Sequence, residues 1–134
     1  MKNDNVERTV KTVGNMALMV KEWINDGTLK KDTIYGIGVL NEPAGQFEQI
    51  WTKVMETFYP LAYDTIRLVD PDFRVVIDSA FKSGDNFINY MSDKEHVVLD
   101  MHHYQGFGAY WNSMAIDFPD VWKNHYKHTC RVSS

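Results

Sequence analysis

The first place in this chain where chemistry could be done is a carboxylate at the end of an apolar run. Thr33 to Leu40 is a short stretch of apolar and β-branched residues that leads straight into Asn41-Glu42-Pro43. Proline has no backbone N–H, so Pro43 stops a strand ladder there. A glutamate held among strand ends is partly withdrawn from water. That favours its protonated form and equips it as a general acid. Asn41 beside it offers a hydrogen bond to a substrate hydroxyl. The same triplet also suits a plain polar turn at a strand end, and residue types alone leave both readings open.

A second group lies in Asp100-Met101-His102-His103-Tyr104-Gln105. Side chains two apart in a strand point the same way. Asp100, His102 and Tyr104 therefore share one face, with Met101 and His103 on the other. An imidazole and a phenol side by side at a strand end can orient a carboxylate and tune its proton affinity. The alternative is a core histidine with satisfied hydrogen bonds and a packing tyrosine. Because His102 and His103 point to opposite faces, no metal site is expected here, and nothing in the chain calls for a cofactor. Tyr104, Phe107, Tyr110 and Trp111 form a third group, spaced by Gly106 and Gly108. Aromatic faces on such a loop suit stacking on sugar rings, or the loop folds back and buries them.

The elements that must position these residues alternate in period. Val6, Val10, Val13, Ala17, Val20 and Ile24 recur every three or four residues, the mark of one helical face. Asp4 and Glu7 have capping-box-like spacing at its start, and Gly27 is placed to end it. A second helical stretch runs from about Gln46 to Val69. Phe47, Ile50, Trp51, Val54, Phe58, Leu61 and Leu68 are its candidate core residues, and Pro60 should kink or split it. Asp70-Pro71-Asp72 is a turn. Arg74 to Ala80 reads as a strand, Asp85 to Met91 as a short helix, and His96 to His102 as a third strand. Gln105 to Asn112 reads as a loop, and Asp117 to Lys127 as a last helix carrying Phe118, Val121, Trp122 and Tyr126. Met16, Met19 and Met55 read as core filling. Apolar strands alternating with helices predict a parallel α/β sheet. Three strands alone leave two open edges, so either further strands are hidden or the chain is an arc of a larger barrel.

Length and composition bound the rest. The chain has 134 residues and a net charge of −4, with 44% hydrophobic and 24% charged residues. That describes one globular domain. A pI near 5.7 argues against a nucleic-acid partner. No apolar run approaches a membrane span, and the charged first residues do not read as a secretory signal. One cysteine makes no internal disulfide.

Ile37-Gly38-Val39-Leu40-Asn41-Glu42-Pro43, followed by Val97-Val98-Leu99-Asp100-Met101-His102-His103-Tyr104-Gln105-Gly106-Phe107, closely resembles the fungal and oomycete exo-1,3-β-glucanases of glycoside hydrolase family 5. The resemblance runs from the helix near Asn5 to Cys130. It implies a (β/α)8 barrel that cleaves β-glucan with retention, present here as about strands 4 to 6 with flanking helices. Residues 1–134 would then form a single partial barrel domain. By the match, Glu42 is the general acid/base and Asn41 contacts the sugar 2-hydroxyl. His102 and Tyr104 stand beside the nucleophile, and Phe107 lies near the leaving-group subsite. Cys130 falls where relatives carry a cysteine that pairs with one further along the chain. The parent family acts outside the cell or in the cell wall.

The family's nucleophile is a glutamate of the seventh strand, which has no counterpart in these 134 residues. The Arg and His of the earlier strands and the Trp of the last strand are also without counterparts. Asp100 is the only other carboxylate expected near a strand end of the matched site. The chain thus reads as a fragment of a β-1,3-glucan hydrolase, with little hydrolysis and a tendency to self-associate expected of it alone. The alternative is a non-catalytic carbohydrate-binding remnant or pseudoenzyme.

Overall fold

The computed structural model describes residues 4–102. The loop expected at Gln105–Asn112, the helix expected at Asp117–Lys127 and Cys130 lie outside the described residues. So do His103, Tyr104 and Phe107.

Helix α1 (Asp4–Asn25) follows the apolar stripe read from the sequence. Val13 and Ala17 are buried, and Val6, Val10, Val20 and Ile24 pack against the same core. Asp4 is already within the helix, so its cap lies outside the described residues. Gly27 turns the chain out of α1 at φ 80°, a left-handed conformation that glycine adopts without a Cβ penalty. Met16 and Met19 do not fill the core as expected. They are 45% and 40% exposed, and only Met55 of the three is buried.

The second helical stretch is α2 (Glu48–Lys53), a wide π turn over Val54–Phe58, and α3 (Tyr59–Val69). The stretch is split, as Pro60 predicts, with the wide turn, not a break in the helical course, between α2 and α3. The Pro60 ring would press on the carbonyl four residues back, and the wide turn relieves that pressure. The Tyr59 N–H instead reaches five residues back, to the Val54 carbonyl. The extra residue in this turn rotates the buried face by one position. Leu61 and Leu68, predicted for the core, are 43% and 88% exposed, while Tyr59, Ala62 and Ile66 are fully buried. Phe47 and Ile50 are also exposed. α3 lies close on α1 because residue 14 is glycine: a Cβ there would stand 2.6 Å from the Thr65 methyl.

The three strands are β1 (Ile37–Gly38), β2 (Val75–Asp78) and β3 (Val97–Asp100), in the order β1-β2-β3. Both pairings are parallel, with Ile37 opposite Val75, Val75 opposite Val97 and Asp78 opposite Asp100. β1 is shorter than the expected Thr33–Leu40. Gly36 lies so close to the Arg74 backbone that only a residue without Cβ fits, and the Ile37 and Val39 N–H groups donate to the Arg74 and Val76 carbonyls. In place of the helix expected at Asp85–Met91 there is one 3₁₀ turn, Gly84–Phe87, capped by the Ser83 hydroxyl. Ile37, Val39, Val75 and Ile77 point into one core with α1 and α3. No helix among the described residues is long and apolar enough to cross a membrane.

Candidate active site

The site begins where β1 ends. Glu42 has φ 45°, a left-handed conformation that costs a residue with a Cβ about 1–2 kcal/mol. Something must hold it there, and its own N–H shows what does. It donates to Asp78 Oδ2 at 3.0 Å. Asp78 ends β2, the central strand, and its other oxygen accepts from the Ala80 N–H at 2.6 Å. One buried carboxylate thus ties together the loops that follow two neighbouring strands. Those loops also touch directly, since the Ala80 carbonyl leaves no room for a Cβ on Gly45.

His102 completes the group from beyond β3. Its Nδ1 is 2.7 Å from Glu42 Oε1. Its Nε2 is 3.3 Å from Asp100 Oδ2 and 3.5 Å from Asp78 Oδ2. Carboxylates only accept hydrogen bonds, so a ring facing them on both sides is best met by an imidazolium that donates from both nitrogens. The hydrogen bond to Glu42 raises the His102 pKa; partial burial opposes it; the Asp100 hydrogen bond and the Asp78 and Asp100 charges add to the rise. Glu42 and His102 side chains are 27% and 25% exposed, so both are half-sheltered yet open to a ligand.

Asn41 and Asp100 share a cleft with Gly38, Leu40, Val76 and Asp78 on the sheet face away from the helices. Its volume is about 220 Å³, below the 300–1,000 Å³ usual for a complete ligand site. Among the described residues no group of His, Cys, Asp and Glu is arranged to hold a metal ion.

Of the residues singled out from sequence, Glu42, His102 and Asp100 come together and Asn41 lies beside them. Tyr104 and Phe107 lie outside the described residues. Asp78 corrects the expectation that Asp100 would be the only other carboxylate near a strand end. Its signal was present: Val75-Val76-Ile77 runs into Asp78 as Val39-Leu40 runs into Asn41-Glu42.

No family model matches the chain. It is similar to a glucan 1,3-beta-glucosidase of Yarrowia lipolytica, 37% identical over 104 residues, which cover 75% of this chain and 23% of that protein. It is 30% identical over 120 residues to glucan 1,3-beta-glucosidase 2 of Wickerhamomyces anomalus, covering 86% of this chain and 26% of that one. The sporulation-specific glucan 1,3-beta-glucosidase of Saccharomyces cerevisiae is 29% identical over 111 residues, 80% of this chain and 24% of that protein. The chain is thus related to glycoside hydrolases, and it spans about a quarter of the length of the curated relatives it matches.

Proposed function

We propose that this chain is one arc of a (β/α)8 barrel, about its fourth to sixth strands, in a retaining family 5 glycoside hydrolase that cleaves β-1,3-glucan. Glu42 is the general acid/base. The observation that carries this reading is the 2.7 Å contact between Glu42 and His102 at the C-terminal ends of parallel strands. That end is where (β/α)8 enzymes keep their active sites. Among the described residues no helix packs on the second sheet face, which supports the barrel reading, because parallel sheets are normally covered on both faces.

In this reading the proton held between His102 and Glu42 passes through the Glu42 carboxylate to the glycosidic oxygen as the bond to the anomeric carbon breaks. As a carboxylate Glu42 then takes a proton from the water that releases the glycosyl group. Asn41 holds the sugar 2-hydroxyl, His102 and Tyr104 orient the carboxylates, and Phe107 stacks near the leaving group. Retention requires a second carboxylate about 5–5.5 Å away as nucleophile. Asp78 is occupied by two backbone N–H groups and Asp100 pairs with His102. Among the described residues neither is placed to attack, and in this reading the nucleophile is the family's seventh-strand glutamate. In this reading the parent enzyme works in the cell wall or outside the cell, where its substrate lies.

Laminari-oligosaccharides added to the 134-residue chain should shift the NMR resonances of Glu42 and His102. Hydrolysis of an aryl β-glucoside should fall orders of magnitude short of a complete glycosidase. In a complete enzyme carrying this segment, Glu42→Gln should lower the rate by about 10²–10⁴, most for poor leaving groups. Full activity in that variant would overturn the assignment of Glu42. Robust hydrolysis by the 134-residue chain would overturn the assignment of the nucleophile elsewhere.

A further inference from the structure

We propose that Asp78 is the positioning residue of this site: its carboxylate holds the Glu42 backbone in its left-handed turn and flanks His102 on the far side of the ring from Glu42. The proposal rests on the reading of Glu42 as acid/base for its meaning in catalysis, but its geometry stands apart from any sugar.

Three observations converge on Asp78. Its side chain is 4% exposed, so its charge is stabilised by what it touches. Each oxygen takes a backbone N–H from a different residue in a positive-φ conformation, Glu42 at 45° and Ala80 at 53°. Both conformations are costly alone, and both aim an N–H at the same carboxylate. The third observation lies behind the strand. The Tyr59 hydroxyl donates to the Asp78 carbonyl at 2.7 Å. Burial, and then the Asp78 charge, raise the Tyr59 pKa, so the phenol keeps the proton it donates.

Tyr59 is fully buried and is the first residue after the wide turn forced by Pro60. The turn sets Tyr59, Tyr59 braces the end of β2, and Asp78 transmits that placement to Glu42. If the Glu42 backbone relaxed to an ordinary φ, its N–H would leave Asp78 and its carboxylate would leave His102. The charged groups facing His102 in the described residues are Glu42, Asp78 and Asp100. Of these, only Asp78 also accepts the Glu42 N–H.

Asp78→Asn keeps the shape but leaves one acceptor oxygen for two N–H groups. In the 134-residue chain, amide exchange at Glu42 or Ala80 should accelerate at least about tenfold, as expected for loss of a charge-assisted hydrogen bond. Asp100→Asn removes a charge from the same side of His102 without touching those amides, and should leave their exchange unchanged. Unaltered protection of both amides in Asp78→Asn would overturn the proposal. So would equal acceleration in Asp100→Asn.

Should Asp78→Asn fail to fold, the unmodified chain still decides. Both amides, though outside any helix or strand, should be protected from exchange in it, and exchange of either at the rate of an unstructured amide would overturn the proposal. None of these readouts involves a sugar. Failure of oligosaccharide binding therefore removes the hydrolase reading and leaves this one standing, and the reverse also holds.

Discussion

On the sheet face that meets α1 and α3, Ile37, Val39, Val75 and Ile77 are each no more than 5% exposed. On the opposite face Val76 and Val98 are only half-buried, Gly38 is open, and Asn41, Asp78 and Asp100 line a cleft. The same three strands therefore present a buried core on one side and a polar cleft on the other. Alternation along each strand divides the work. Apolar positions secure the helices, and their neighbours carry the polar chemistry. A parallel sheet so unequal in its two faces is stable only as far as its covered face allows.

The sharpest test of this contrast is truncation on each face. Ile77→Ala should destabilise the chain by about 2–5 kcal/mol, because it removes a buried side chain from a packed cluster. Val76→Ala, one residue away, should cost less than about 1 kcal/mol, since its side is open. Chemical denaturation of the two variants measures both. Equal losses would mean that the open face is packed in solution.

A smaller effect is expected where the two loops meet. Gly45→Ala drives a methyl into the Ala80 carbonyl and should cost about 1–3 kcal/mol. Its NMR signature should be a displaced Glu42–His102 pair with the helix-side resonances unchanged. Shifts centred on α1 and α3 instead would show that the loops are not an independent unit.

The smallest effect is the pH dependence of the polar face. Folding raises the His102 pKa above its ordinary 6.5, chiefly through the hydrogen bond to Glu42. The folded state then holds its proton more tightly than the unfolded state. The stabilisation is complete below the unfolded pKa and is lost as pH rises through the folded one. Denaturation midpoints across that window should decline in the unmodified chain and stay flatter in His102→Gln. A midpoint that rises with pH in the unmodified chain only would reverse the charge assigned to the ring.

Much of this was legible in the residues. The α1 stripe, the three parallel strands and the carboxylates at their ends follow from periodicities that depend on neighbours in sequence. So does the shared face of Asp100 and His102, because two residues along a strand restore the same direction. The face of α3 was not legible. Spacing carried forward from Ile50 and Val54 chose Leu61 and Leu68, and the extra residue in the turn before Pro60 moved burial to Ala62 and Ile66. Proline announces that something must give, but whether a helix kinks, splits or widens depends on what it packs against.

By itself the sequence determined where the three apolar runs lie, which faces are apolar, and that Glu42 and His102 would reach one edge if the strands ran parallel. Only the tertiary structure decided that Asp78 lies between them, accepting the Glu42 N–H and facing His102. Each strand's alternation is local, whereas the role of Asp78 depends on register between strands and on a left-handed turn in a different loop. Those are set by the packing of α1 and α3 beneath the sheet, through contacts distant along the chain.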